Sequence, residues 1–271
     1  MKKRLLIFVP AYNVEDSILN VLNNIPIKRL DTFETEILAI NDCSNDETLK
    51  KILEFKKKEK RIKLSVLTNK SNLGYGVVQK MAYFYAIKNN FDIVVMLHGD
   101  GQYDPKVLPK LITPIIKKEA HAVFGGRMHS YLKALKGKMP IHRLIGNKVV
   151  TKIQNFLLDA KINEYHSGYR AYSVDALKLI PFHLNSSYYH FDTEIIIQLL
   201  FSDLVIKEIP IETIYGNEKS YLNVIKYGFN VLKTTLTGKL QKFGIFYERK
   251  FDIERHQKGK VKYSNKKNFI S

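Results

Sequence analysis

The chain predicts an α/β fold, a mostly parallel sheet with helices on both faces, and three observations carry that prediction. Apolar runs recur through the first half: LLIFV (5–9), EILAI (36–40), KLSVL (63–67), DIVVML (92–97) and HAVFGG (121–126). They are apolar throughout rather than alternating, as strands covered on both faces require. Segments with helical spacing separate them, the rhythm of a sheet built from crossover units. The chain has 271 residues, 45% of them hydrophobic, enough for a sizeable core and too many for a disordered chain.

In chain order, the first strand leads into a helical pattern from about Glu15 to Asn24, and the second into a helix from about Asp46 through Lys58. A third helix runs from about Gly76 to Asn89, where Val77, Val78, Met81, Ala82 and Tyr85 recur at helical steps. A fourth starts near Pro105, a residue suited to a first helical turn. After Arg127 the rhythm breaks. Residues 128–145 read as a loop, 146–158 as a helix, and HSGYRAYS (166–173) as a compact polar motif. A helix beginning near Asp192 and a strand VIKEIPI (205–211) follow. The expected organisation is a catalytic domain over 1–215, an amphipathic helical extension over 216–250 and a basic tail over 251–271.

The formal net charge is +18, which favours polyanionic partners: nucleic acid, anionic lipid headgroups or phosphorylated substrates. The lysines are dispersed and no helix-turn-helix, zinc-finger or aromatic RNA-binding signature appears, so nucleic acid is not the expected partner. The KKKEKR run at 56–61 reads as a solvated face. The single cysteine, Cys43, excludes an intrachain disulfide and a thiolate zinc cluster, and fits a reducing, cytoplasmic setting. The MKKRLLIFV start is too short in its apolar part for a signal peptide, and no run approaches the roughly 18 apolar residues of a membrane span. Any membrane role is therefore expected to be peripheral, at the cytoplasmic face.

In open parallel sheets ligands bind beyond the carboxyl ends of the strands. The first strand ends in Pro10-Ala11-Tyr12-Asn13 with Glu15 behind it, and lacks the glycine pattern of a dinucleotide site. A rigid proline, an aromatic ring and polar groups suit a nucleoside, or a simple proline turn. No glycine-rich basic loop follows this strand, which argues against a nucleotidyltransferase. The second strand ends in Asn41-Asp42-Cys43-Ser44-Asn45-Asp46, where Asp42 can accept from a base N–H and Asp46 can cap the next helix. After the third come Asn72-Leu73-Gly74-Tyr75-Gly76, whose N–H groups are open to an anion or nucleoside. The fourth is the most informative, with His98, Asp100, Gln102 and Asp104 in one turn. Hard divalent cations such as Mg²⁺ or Mn²⁺ prefer oxygen ligands and leave positions for substrate phosphates. Asp100 is the expected carboxylate, with Gln102 and His98 as further candidates. His98 suits Mn²⁺ better than Mg²⁺, and Asp104 is a candidate helix cap.

The series VPAYN-VED, INDCSNDET, NLGYG, HGDGQYDP, GGR and SGYR resembles the family 2 glycosyltransferases, which adopt the Rossmann-like GT-A fold. It is most similar to the branch of dolichyl- and polyprenyl-phosphate sugar synthases, over about residues 5–212. The resemblance implies that Pro10, Tyr12, Glu15 and Asp42 line the nucleotide pocket, with Asn13, Asn72 and Gly76 of the strand-end loops as further candidates for nucleotide binding. It further implies that Asp100 and Gln102 bind metal and diphosphate, and that Arg127 and Arg170 contact phosphate or acceptor. Two positions depart from the family pattern: Asn41 stands for the first of two aspartates, and His98 for the first aspartate of Asp-x-Asp.

The resemblance implies inverting transfer from a UDP- or GDP-sugar, with a divalent cation as cofactor. A hydroxyl acceptor needs a base, for which Asp192 and Glu194 are candidates; the alternative is a carboxylate pair at a helix N-terminus. A phosphate acceptor is ionised near neutral pH and needs cations instead, with Arg127, Arg170 and the lysines of 133–138 at hand. Between Tyr221 and Tyr247, Leu222, Ile225, Phe229, Leu232, Leu236, Leu240 and Phe243 recur at three- and four-residue steps with lysines between. That pattern fits a basic amphipathic helix pair at a membrane interface, or helices covering the sheet. The expected acceptor is an isoprenoid lipid phosphate. The alternatives are a sugar hydroxyl on a surface glycan, or a non-catalytic relative that only binds nucleotide sugars.

Overall fold

The computed structural model describes residues 2–128, 139–213 and 222–259. The lysines of 133–138, the start of the 216–250 segment and the end of the 251–271 tail lie outside these residues.

Among the described residues seven strands form one sheet, in the order β3-β2-β1-β4-β6-β5-β7. They are β1 (Lys3–Ala11), β2 (Phe33–Asn41), β3 (Lys63–Thr68), β4 (Ile93–Met96), β5 (Ala122–Gly126), β6 (Arg170–Ser173) and β7 (Ile206–Pro210). The pairs β1–β2, β2–β3, β1–β4 and β5–β7 are parallel. Because side chains alternate across a strand, Leu6 and Phe8 of β1 enter one core layer, and Leu5, Ile7 and Val9 the other. Helices α1 (Ile18–Asn23), α2 (Thr48–Lys58) and α4 (Leu108–Ile116) cover the second layer. Helices α3 (Tyr75–Lys88), α6 (Val174–Leu179) and α7 (Phe191–Phe201) cover the first. Two further helices, α5 (Ile141–Leu158) and α8 (Val224–Lys242), pack against each other, and α8 also packs on α7.

The expected strands are all present. The addition is β6, formed by RAYS from the polar motif and inserted antiparallel between β4 and β5, with Arg170 opposite both Met96 and Phe124. Four residues beginning with an arginine carry no strand-like apolar run. Two helices start later than expected, at Ile18 and Thr48, because the residues before them form polar loop contacts described below. The expected C-terminal helix pair is one helix, α8, paired instead with α5. Within the expected basic tail Phe251 and Ile253 are buried, and Phe251 joins the core of the first layer.

Candidate active site

Strand β1 has β2 on one side and β4 on the other, the point of an open sheet where a crevice forms at the carboxyl ends. There the turn after β4 closes on the end of β1. The Gly99 N–H donates to Pro10 O at 3.2 Å, and the Ser17 hydroxyl donates to Gly99 O at 2.7 Å. The next residue is Asp100. Its Oδ1 accepts from the Gln102 N–H at 3.0 Å and its Oδ2 lies 3.7 Å from His98 Nδ1. Burial raises its carboxyl pKa, but the His98 imidazole and the Gln102 N–H outweigh that and hold it below the ordinary value. The side chain stays 25% exposed. Asp104 accepts from the Lys106 N–H and so caps the turn before α4, as expected.

His98 packs between Tyr75 and Tyr103, with ring centroids 5.8 and 5.4 Å away. Its Nε2 is buried and has no hydrogen-bond partner. That nitrogen faces Gly168 so closely that a Cβ there would lie 2.4 Å from it, so the glycine of SGYR makes room for the imidazole. Among the described residues no group of three or more His, Cys, Asp or Glu side chains could hold a metal ion. Asp100 therefore offers a one-carboxylate site, suited to a cation whose other ligands are water and substrate phosphate.

On the other side of the crevice, Asp42 is buried and takes three donors. Asn69 Nδ2 and the Leu73 N–H reach its Oδ1 at 2.7 and 2.9 Å, and the Gly74 N–H reaches its Oδ2 at 3.0 Å. A carboxylate has roughly four acceptor sites, so one is left for a base N–H. The N–H groups after β3, expected to be open to a ligand, are thus engaged. The Gly76 N–H donates to Ser187 O at 2.8 Å, and a Cβ on Gly76 would meet Ser186 O at 2.3 Å. Asn72 is exposed. Asn13 and Glu15 clamp the first loop to the second: Asn13 Oδ1 accepts from the Asn45 N–H, Glu15 Oε2 from the Glu47 N–H, and Asp46 Oδ2 from the Glu15 N–H. Pro10 and Tyr12 are half-buried at the crevice edge.

The residues expected to serve the acceptor have hydrogen-bond partners inside the protein. Arg127 is tied by its N–H and guanidinium to Glu164, and by Nη2 to His166 O. Arg170, expected to reach phosphate or acceptor, is 0% exposed. It donates to Ser167 O, Asp192 O and Tyr165 O, and lies 4.8 Å over the Phe124 ring. These contacts hold the guanidinium inside the protein. Asp192 is also buried, accepting from Tyr75 Oη and Gln79 Nε2 at 2.9 Å each, with Arg170 Nη2 3.5 Å away. Glu194 is 0% exposed, accepts from the Ser186 N–H, and sits 3.0 Å from Lys250 Nζ. Both carboxylates are in the first turn of α7, as the helix-terminus alternative holds, but their partners come from distant segments.

Four residues of this network were not among the sequence candidates: Tyr75, Gln79, Glu164 and His166. His166 opens the SGYR motif, and its Nδ1 lies 2.9 Å from Tyr227 Oη of α8. Burial pushes its imidazole pKa down to about 3, and the positive charges of Arg127 and Arg170 add to the shift. A histidine with a depressed folded pKa binds fewer protons folded than unfolded. Its contribution to stability is complete above the unfolded value near 6.5 and is lost as pH falls towards about 3. The unfolding free energy from denaturant titrations is therefore expected to fall by up to roughly 1.4 kcal/mol per pH unit below about pH 6. His166→Asn should flatten that slope.

Comparison with known proteins agrees with this architecture. The profile of Glycosyl transferase family 2 matches residues 6–180. A UDP-N-acetylglucosamine–dolichyl-phosphate N-acetylglucosaminyltransferase of Methanococcus voltae is 30% identical, over 79% of this chain and 86% of that one. An undecaprenyl-phosphate mannosyltransferase of Micrococcus luteus is 24% identical, over 77% of this chain and 82% of that one. In fold, the chain is similar to glucosyl-3-phosphoglycerate synthase from Mycobacterium tuberculosis, solved with Mn²⁺, UDP and glucosyl-3-phosphoglycerate. The TM-score is 0.59 at 15% identity, over 91% of this chain and 82% of that one. With the seven-stranded mixed sheet and the crevice at the ends of β1 and β4, the match places this chain in glycosyl transferase family 2, as a glycosyltransferase of GT-A fold.

Proposed function

We propose that the protein transfers a sugar, with inversion, from a nucleoside-diphosphate sugar to a polyprenyl or dolichyl phosphate. The observation that carries the acceptor is the engagement of Asp192 and Glu194. A hydroxyl nucleophile needs a carboxylate free to take its proton. Asp192 holds Tyr75, Gln79 and Arg170, and Glu194 holds Ser186 and Lys250, so neither is poised as a base. A phosphate monoester, with a second pKa near 6, attacks as the anion and releases no proton. That favours the lipid phosphate over a glycan hydroxyl. The relatives from Methanococcus voltae and Micrococcus luteus carry such acceptors in their names.

In this reading the donor's base pairs with the remaining acceptor site of Asp42, beside Pro10 and Tyr12. A phosphate oxygen of the acceptor attacks the anomeric carbon in line, the bond from that carbon to the diphosphate breaks, and the electron pair leaves on the β-phosphate. Asp100 would hold a divalent cation together with the diphosphate, and such a cation, when bound, would stabilise the departing charge electrostatically. Asp100 is suited to holding it, being partly exposed at a strand end, below the ordinary carboxylate pKa, and with lone pairs to spare. We assign His98 to holding Asp100 rather than to the cation. A metal-bound imidazole normally passes its other N–H to an acceptor, and His98 Nε2 has none. Arg127, its guanidinium fixed by Glu164 and His166 O, is the positive group proposed to lie beside the phosphate.

The test is a screen of UDP- and GDP-sugars with a short prenyl phosphate, with Mn²⁺ or Mg²⁺ and with a chelator. One donor class is expected to turn over, and chelation to stop it and to remove cation-linked stabilisation by the nucleotide. Full turnover in chelator would rule out the cation's part.

A further inference from the structure

Helices α5 and α8 both turn apolar stripes towards solvent. On α5 the buried positions are Leu144, Thr151, Gln154 and Leu158 among the described side chains, while Ile141, Ile145, Val149, Ile153 and Phe156 face solvent, Phe156 at 83% exposure. Those five recur at three- and four-residue steps and so form one stripe. On α8 the buried face is Val231, Thr234, Thr235 and Gly238. The outward residues include Ile225, Phe229 and Leu236, with Ile225 at 86% exposure. The two helices touch through polar groups, Gln154 Nε2 lying 3.4 Å from Thr235 Oγ1. Apolar stripes turned outward, with Thr and Gln among the buried positions, depart from the arrangement water imposes on a helix pair.

We infer that this α5–α8 face seats on an anionic lipid bilayer. Charge selects the occupant. The two helices carry seven Lys or Arg residues and no Asp or Glu. A second copy of the chain would bring like charge against like across a symmetric contact, whereas anionic headgroups complement it. Among the described residues no helix is long and apolar enough to cross a membrane, so the contact lies along the surface. The face adjoins the acceptor side of the crevice. Met128, directly after Arg127, packs with Met139 and Leu144 at the start of α5, and Tyr227 of α8 meets His166. A lipid phosphate held there would approach the crevice from the membrane plane. The inference deepens the proposed reading by naming the surface that presents the acceptor.

The experiment uses the full chain with vesicles of neutral phosphatidylcholine, or of the same lipid with phosphatidylglycerol. Wild type is expected to co-sediment with the anionic vesicles and to be released by salt. Ile145→Asp with Phe229→Asp, both at exposed positions, should cut that partition by about tenfold or more while leaving the melting temperature and nucleotide affinity unchanged. Three results would overturn the docking face: no binding of wild type to anionic vesicles, equal binding by the double variant, or a wild-type dimer that the double variant converts to monomer. Turnover on a water-soluble short prenyl phosphate, without vesicles, separates the two ideas. Equal turnover by wild type and the double variant supports docking as the surface's own role. Absent turnover with vesicle binding intact would fail the acceptor reading and leave the docking face standing.

Discussion

Replacing Asp192 with alanine is expected to lower the melting temperature by about 10 °C. The carboxylate is the counter-charge of Arg170, a guanidinium with no exposure to water, and it also receives Tyr75 Oη and Gln79 Nε2. Breaking a buried ion pair from one side typically costs about 3–5 kcal/mol, because the remaining charge is left without compensation. For a chain of this size each kcal/mol moves the midpoint by roughly 2–4 °C. Asp192→Asn keeps an acceptor for Tyr75 and should lose less stability. Calorimetry on the two variants checks the ordering. If Asp192→Ala melts with wild type while turnover vanishes, the residue acts on substrate and the scaffold role is wrong.

The second large effect is at Asp100. Asp100→Ala should reduce kcat/KM on the order of a thousandfold, about 4 kcal/mol, the scale of losing a principal electrostatic contact to the developing charge. The fold should hold, since the side chain is partly exposed and its hydrogen-bond partner is the neighbouring Gln102 N–H. The diagnostic readout is binding. UDP or GDP should still stabilise the variant through the Asp42 side of the crevice, but added Mn²⁺ should no longer increase that stabilisation. Retained cation dependence in the variant would remove Asp100 from the cation.

The strands were legible because a sheet covered on both faces leaves continuous apolar runs such as LLIFV and DIVVML, and the strand-end position of Asp100 was legible from the same runs. What lay beyond reach was the direction each polar residue faces. Arg170, Asp192 and Glu194 read as site residues because they are charged and close in sequence to a family-like motif. Their partners, Tyr75, Gln79 and Lys250, come from remote parts of the chain, and only the tertiary fold turns them inward. Gly76 is a similar case. Its N–H looked open to a ligand, but the loop carrying Ser186 and Ser187 comes from more than a hundred residues away to occupy it. The apolar period of the C-terminal segment was visible too, yet period alone does not say whether the stripe faces in or out. Here most of it faces out, and its counterpart is α5, whose first turn reads as loop in the sequence.

The most direct measurement offers the enzyme and its donor two acceptors of one chain length, a short prenyl phosphate and the matching prenol, both in solution. With Asp192 and Glu194 both engaged inside the protein, sugar should pass to the phosphate alone, and glycosylation of the prenol at a comparable kcat/KM would contradict that reading.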